Sequence, residues 1–223
     1  MKHGHPTSGK FVGAKERIMG ILMLPAEAGE MQDRTKEFAL RKVVAWELVS
    51  LDGVMESPER WSFQFHNDEM AEANASGMAA ADAMLFGRVT YQEFAAFWPY
   101  QNSAEQPFTD YLNNTLKYVV STTLEEPLEW QNSTLIKDDV AEVVAGLKQQ
   151  PGKDIGIVGS GTLVRSLLRD GLLDELGLMI HPIVLGSGKR LFEEGGDQKA
   201  LDLVDSKTFS TGVLNLTYRP AQS

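Results

Sequence analysis

Two glycines flank a serine at Gly159-Ser160-Gly161, and Thr162 and Leu163 follow. Apolar residues precede this triplet from Ile155 to Val158, and an amphipathic stretch comes after it. Residues without a Cβ let a backbone come close to a ligand. The first N–H groups of a helix lack intrahelical partners and sit at the positive end of its dipole, so an anion such as a phosphate is their natural partner. A Gly-Ser-Gly between strand and helix also serves as a plain tight turn, and this one is neither a full Gly-x-Gly-x-x-Gly nor a Walker loop. Two other small polar loops follow apolar runs: Gly87-Arg88-Val89-Thr90 and Ser121-Thr122-Thr123. All three are suited to face one phosphorylated cofactor.

The elements that must carry these loops follow from periodicity. Leu163, Val164, Leu167, Leu168 and Leu172 share one face of a helix, Arg165, Arg169 and Asp170 share the other, and Gly171 ends it. An apolar strand then runs from Leu176 to Leu185. Val43 to Val49 reads as a strand leading to an Asp52-Gly53 turn. Asn67 caps a helix to about Ala80, Ala83 to Phe86 is a strand, and Thr90 caps a short helix whose Tyr91, Phe94, Ala95 and Trp98 share a side. Lys117 to Val120 and Ser133 to Ile136 are strands, and Asp139 with Glu142 makes a capping-box start to the next helix. Leu201 to Phe209 and Val213 to Tyr218 form a closing hairpin. Strands alternating with helices predict an α/β domain over residues 41–220, with a mostly parallel central sheet whose ligands lie beyond the carboxyl ends of the strands.

Composition narrows the functional classes. A formal net charge of −10 argues against nucleic acid as a partner, because that affinity comes largely from Lys and Arg on phosphates. The absence of cysteine excludes disulfides and thiolate metal sites, and it fits a cytoplasmic location. No apolar run is long enough for a bilayer, so no membrane partner is expected. Histidines and carboxylates show no metal-binding spacing, and no Gly-x-Ser-x-Gly elbow supports a serine hydrolase. His181 is expected to be a hydrogen-bonded core histidine. Residues 1–40 mix Gly, Lys, Glu and Pro and are expected to form a flexible extension.

Five motifs carry a resemblance: SLDGV from Ser50, LFGRVTYQ from Leu85, KYVVSTT from Lys117, IVGSGTL from Ile157 and LLDELGLMIHPIVLGSGKRLF from Leu172. In this order and spacing the chain resembles the dihydrofolate-reductase-like superfamily, and within it the branch of the C-terminal reductase domain of riboflavin-biosynthesis enzymes. The resemblance implies a three-layer fold and a reductase that passes a hydride from NADPH to a small heterocyclic or sugar-like substrate of the pterin or riboflavin-precursor type. It implies that Gly87, Arg88, Thr90, Ser121 and Thr122 surround the adenosine phosphates and that Gly159, Ser160, Gly161, Thr162 and Leu163 hold the pyrophosphate. For Arg88 a surface salt bridge, and for Thr90 a helix cap, are the structural alternatives. The substrate side is expected from Ser50, Leu51, Asp52, Gly53, Trp61, Pro182 and Gly186. Asp52 is the candidate catalytic carboxylate, although an Asp before Gly also simply forms turns.

Dihydrofolate reductases proper hold the pteridine with a carboxylate on their first helix, and no residue here matches that position. The zinc deaminase half of the riboflavin enzymes needs a Cys-x-x-Cys that a cysteine-free chain cannot supply, so a stand-alone reductase is expected. A homodimer is expected from the resemblance alone. The second reading is a non-catalytic nucleotide- or drug-binding module that keeps the fold.

Overall fold

Residue by residue, β-branched and aliphatic side chains alternate along β1 (Val43–Ser50) so that Val43, Ala45 and Val49 join one core and Leu48 another. That alternation places β1 inside a sheet covered on both faces. The computed structural model describes residues 40–106, 108–196 and 198–221. The extension expected for residues 1–40 lies outside them except for Leu40.

Eight strands form one sheet in the order β4-β3-β2-β5-β1-β6-β8-β7. They are β2 (Ala81–Gly87), β3 (Leu116–Val120), β4 (Ser133–Ile136), β5 (Asp154–Val158), β6 (Glu175–His181), β7 (Leu201–Thr208) and β8 (Leu214–Pro220). The first six pair in parallel, and β8 and then β7 add antiparallel at one edge. The expected mostly parallel sheet with a C-terminal hairpin is thus present. Helices α4 (Val140–Lys148) and α5 (Gly161–Arg169) pack on one face through Val144, Leu147, Val164 and Leu167. On the other face lie α1 (Asp68–Ala80), α2 (Arg88–Ala95) and α3 (Thr109–Asn114), contributing Met70, Tyr91 and Leu112.

Local chemistry explains most element ends. Asn67 Oδ1 accepts the Met70 N–H at 3.0 Å and caps α1 as its sequence predicts. Gly171 closes α5 with φ +69°. Lys117 is buried at the start of β3, where its ammonium donates to the carbonyls of Asn113, Thr115 and Gln131 and lies 4.3 Å from the Trp130 ring centroid.

Four expectations need correcting. Strand β6 stops at His181 rather than Leu185: Pro182 has no N–H to continue a ladder, and the Leu185 N–H is taken by Asp52. Helix α2 has Gly87 at its N-cap, and Thr90 lies inside its first turn with its hydroxyl bonded elsewhere. Trp98 belongs to a separate 3-10 turn, Trp98–Tyr100, although it still packs on Phe94. Asp139 precedes α4 with a left-handed φ of +51° and no side-chain bond to the helix, because a capping carboxylate needs an extended backbone to reach back.

Candidate active site

The parallel strands bring the carboxyl ends of β3, β2, β5, β1 and β6 to one edge. There β2 passes directly into α2 at Gly87, and β5 passes into α5 through Gly159-Ser160, with Gly159 at φ +69°. The two crossings are stitched together. The Gly87 N–H donates to Ser160 Oγ (2.8 Å), the Ser160 hydroxyl donates to Thr90 Oγ1 (3.2 Å), and the Thr90 hydroxyl donates to the Gly159 carbonyl (3.1 Å). Each hydroxyl donates once and accepts once, so the chain is closed. Neither helix receives a side-chain cap, which leaves the first N–H groups of two adjacent helices unclaimed by side chains.

Both turns open on a groove of about 1200 Å³. Gly87, Arg88 and Thr90 border it from the β2 side, and Gly159, Ser160, Gly161, Thr162 and Leu163 from the β5 side. Arg88 is exposed, bonds only Gln92 (2.9 Å), and has no ion-pair partner among the described residues. The surface salt bridge considered for it is therefore not formed. Ser121 and Thr122 do not border the groove; Ser121 Oγ accepts the N–H groups of Thr123 and Leu124 at 3.1 and 3.0 Å and shapes its own turn.

The residues expected on the substrate side gather in a second cluster, just beyond the ends of β1 and β6. Buried Ser50 donates to Asp52 Oδ1 (2.7 Å) and accepts the Val54 N–H (2.9 Å). Asp52 also accepts the N–H groups of Leu185 (3.1 Å) and Gly186 (2.9 Å), with Arg190 Nη2 at 3.7 Å. The Ser50 hydroxyl, followed by those two backbone donors, holds the Asp52 carboxyl down at about 2. Gly53 makes the turn with φ +81°, and the Leu51 N–H bonds the Ile183 carbonyl at 2.8 Å. Trp61 is buried edge-on to His181 at 5.2 Å, and Pro182 sits exposed beside it in sequence. None of these seven residues borders the groove. Their neighbours Met55, Glu56, Lys189 and Arg190 do, so the two loops reach the groove a few residues further along the chain than expected.

Two residues of β1 at the groove were not singled out from sequence. Trp46 lies across the sheet: a Cβ at Gly156 on β5 would fall 2.6 Å from its Cζ3, and one at Gly177 on β6 would fall 2.9 Å from its Cδ1. Glu47 is the other. It is 2% exposed, its Oε2 accepts the Gly159 N–H at 3.0 Å, and its Oε1 is buried without a partner among the described residues. Burial pushes its carboxyl up to about 8, against the opposing pull of the Gly159 bond. A carboxylate inside an apolar strand was the available signal, since buried acids are rare and cluster at functional sites. His181 is fully buried, with Nδ1 2.9 Å from the Met179 carbonyl, as expected of a core histidine; burial lowers its pKa. Among the described residues no cluster of His, Asp or Glu suits a metal ion, and no helix is long and apolar enough to cross a membrane.

Comparison with known proteins gives a consistent picture. The family described as the RibD C-terminal domain matches residues 41–215. The Bacillus subtilis (strain 168) protein YyaP is 35% identical over 139 residues, covering 61% of this chain and 73% of the relative. A second B. subtilis protein, YwjB, is 28% identical over 181 residues, covering 78% and 95%. Among solved structures, a putative riboflavin biosynthesis protein from Shewanella sp. PV-4 superposes with a TM-score of 0.65 at 22% identity, covering 81% of this chain and 99% of that one. The Saccharomyces cerevisiae riboflavin biosynthesis reductase Rib7 does so with a TM-score of 0.54 at 17% identity, covering 84% and 93%.

Proposed function

The chain belongs to the RibD C-terminal domain family, and on that premise we propose that it is an NADPH-dependent reductase of a small heterocyclic substrate of the pyrimidine or pterin type. The observation that carries this reading is the meeting of two strand-to-helix crossings, closed by the Ser160–Thr90 relay, at the mouth of one groove. Two adjacent helix N-termini without side-chain caps suit the two phosphates of a dinucleotide, through unpaired N–H donors and aligned dipoles. The backbone N–H groups from Ser160 to Leu163 would hold the pyrophosphate, while Gly87 and Gly159, whose N–H groups go to Ser160 Oγ and Glu47 Oε2, would shape the turns beneath it. Arg88, exposed and without a carboxylate partner among the described residues, would take the 2′-phosphate through its planar fork, with Ser121 and Thr122 on the neighbouring strand end.

When bound, the reduced nicotinamide supplies a hydride, and the protein supplies position and electrostatics. The Asp52 clamp fixes the loops after β1 and β6, and through them Glu56, Lys189 and Arg190 at the groove's substrate end. The substrate class is suggested by solved structures of the same fold, one of which, from Thermotoga maritima, is described as a diaminohydroxyphosphoribosylaminopyrimidine deaminase/5-amino-6-(5-phosphoribosylamino)uracil reductase, with this chain spanning 57% of its length.

Calorimetry with NADPH and NADH, followed by NADPH oxidation in the presence of that uracil or a dihydropterin, tests the reading. Expected are an NADPH dissociation constant in the micromolar range usual for enzyme ligands, weaker NADH binding, and oxidation with one of the two substrates. No heat with either coenzyme removes the reading. Binding of NADPH without turnover of either compound would instead support a binding module that keeps the fold.

A further inference from the structure

We propose that Glu47 is the proton donor of this reduction: its Oε1, buried without a partner beside the groove, delivers a proton to the nitrogen or oxygen of the double bond being reduced. The inference rests on the reductase reading above.

Glu47 sits near the centre of the sheet, on β1 between β5 and β6, opposite Leu178. Its Oε2 is fixed by the N–H of Gly159, the first residue of the glycine turn, so the acid is in register with the phosphate-binding backbone. A buried polar oxygen with no partner is costly and uncommon. Glu47 lines the groove while Oε1 itself is screened from solvent, so a substrate seated against this side chain can become its partner.

Its electrostatic setting matches the role. Other ionisable groups on the surrounding elements and at the groove are Asp154 on β5, Glu175 and His181 on β6, Arg165 and Arg169 on α5, and Glu56, Glu59, Arg88, Glu93, Lys189, Arg190 and Glu193 at the rim. None of them contributes to its proton affinity; burial raises it and the Gly159 bond lowers it. The carboxyl is therefore kept in its acid form by its apolar surroundings, in contrast to the stabilised Asp52 anion.

The step balances. A reduced nicotinamide, when bound, would supply a hydride to the carbon of a C=N or C=O bond, with the π pair going to the heteroatom. The Oε1–H bond breaks and its proton joins that heteroatom. Glu47 is left as a carboxylate, which takes a proton from solvent after the product departs.

Infrared spectroscopy of the protein without cofactor gives a readout independent of activity. A protonated-carboxyl C=O band should persist as pH rises above 4.5, vanish only around 8, and be missing from Glu47→Gln. With NADPH and 5-amino-6-(5-phosphoribosylamino)uracil, Glu47→Gln should bind NADPH like the wild type while kcat falls by about 10²–10⁴-fold. The wild type should lose kcat as pH rises through about 8, and the variant should lack that limb.

The proposal is overturned if no such band titrates in the wild type, or if the variant keeps its rate and its alkaline limb. Should Glu47→Gln not fold, the wild-type band and limb decide; should that uracil not be reduced, the band decides. The two failures are separable: no heat with NADPH removes the reductase reading and the donor role with it, whereas heat with NADPH and no titrating band removes the donor role alone.

Discussion

Ser160 and Thr90 are 70 residues apart in sequence, yet their hydroxyls share a hydrogen bond of 3.2 Å buried between the β5–α5 and β2–α2 crossings. The bond makes one rigid unit of two turns. It also leaves both hydroxyls committed within the protein.

Ser160→Ala leaves the Gly87 N–H and the Thr90 hydroxyl each short of a partner. An unsatisfied buried group costs about 1–3 kcal/mol. Urea unfolding should show a loss in that range, and calorimetry should show weaker NADPH binding. Ser160→Ala with unchanged stability and affinity would remove the relay from the description of the site.

Arg88→Ala tests the 2′-phosphate assignment. A hydrogen bond to a charged group contributes about 1.5–3 kcal/mol, or roughly 10–100-fold in affinity. The NADPH dissociation constant should rise by that factor and the NADH constant should barely move. An equal loss for both coenzymes would place Arg88 elsewhere on the dinucleotide.

Much of this architecture was legible because local chemistry and tertiary context agree in it: the Leu stripe of α5, the Asn67 cap and the β-branched parallel strands all form as read. Two of the failures occur where a group from a distant segment decides. Asp52 claims the N–H groups of Leu185 and Gly186 and ends the β6 reading early; Gly159 claims the Thr90 hydroxyl and removes it as a cap. Glu47 was hidden for the same reason, since a single acid in an apolar run has no periodic signature and its partner lies 112 residues away.

Gly156 gives such a long-range relation a testable form, because its missing Cβ is what lets the Trp46 indole lie over β5. Gly156→Ala places a methyl 2.6 Å from Cζ3. Overpacking of this kind costs about 1–3 kcal/mol. Denaturation should show that loss, together with a shifted Trp fluorescence spectrum; wild-type stability and emission would mean that the indole lies elsewhere.

Glu47 and His181, two of the buried ionisable groups, give stability opposite pH slopes. Glu47, raised from 4.5 to about 8, is protonated in the fold while the unfolded chain has already lost its proton, so stability falls as pH rises through that window. Glu47→Gln should therefore gain on the wild type by up to about 1.4 kcal/mol per pH unit between those values and by nothing further above them. His181 is depressed below 6.5 by burial, so the unfolded chain takes up the proton first and stability falls as pH drops below that value. His181→Phe should flatten the acid slope in urea titrations. A His181→Phe slope matching the wild type would show that His181 is not buried as a neutral ring.

Asp52 and Glu47 also make distinguishable predictions for the chemistry. Asp52 accepts three hydrogen bonds and lies near 2, so at neutral pH it is an anion with no proton to give, and its two backbone donors, Leu185 and Gly186, tie the loop after β1 to the loop after β6. Asp52→Asn offers one oxygen where two were used and introduces an NH2 that meets N–H donors. The loops from Leu51 to Glu56 and from Ile183 to Arg190 should loosen, which limited proteolysis would register as faster cleavage there. Because Glu56, Lys189 and Arg190 at the substrate end of the groove are carried by those loops, KM for the substrate should rise by roughly tenfold or more. NADPH affinity and the alkaline limb assigned to Glu47 should remain. If Asp52→Asn instead abolishes kcat with KM and protease sensitivity unchanged, Asp52 acts in the chemical step itself, and its hydrogen-bonded anion serves the reacting groups rather than the loops.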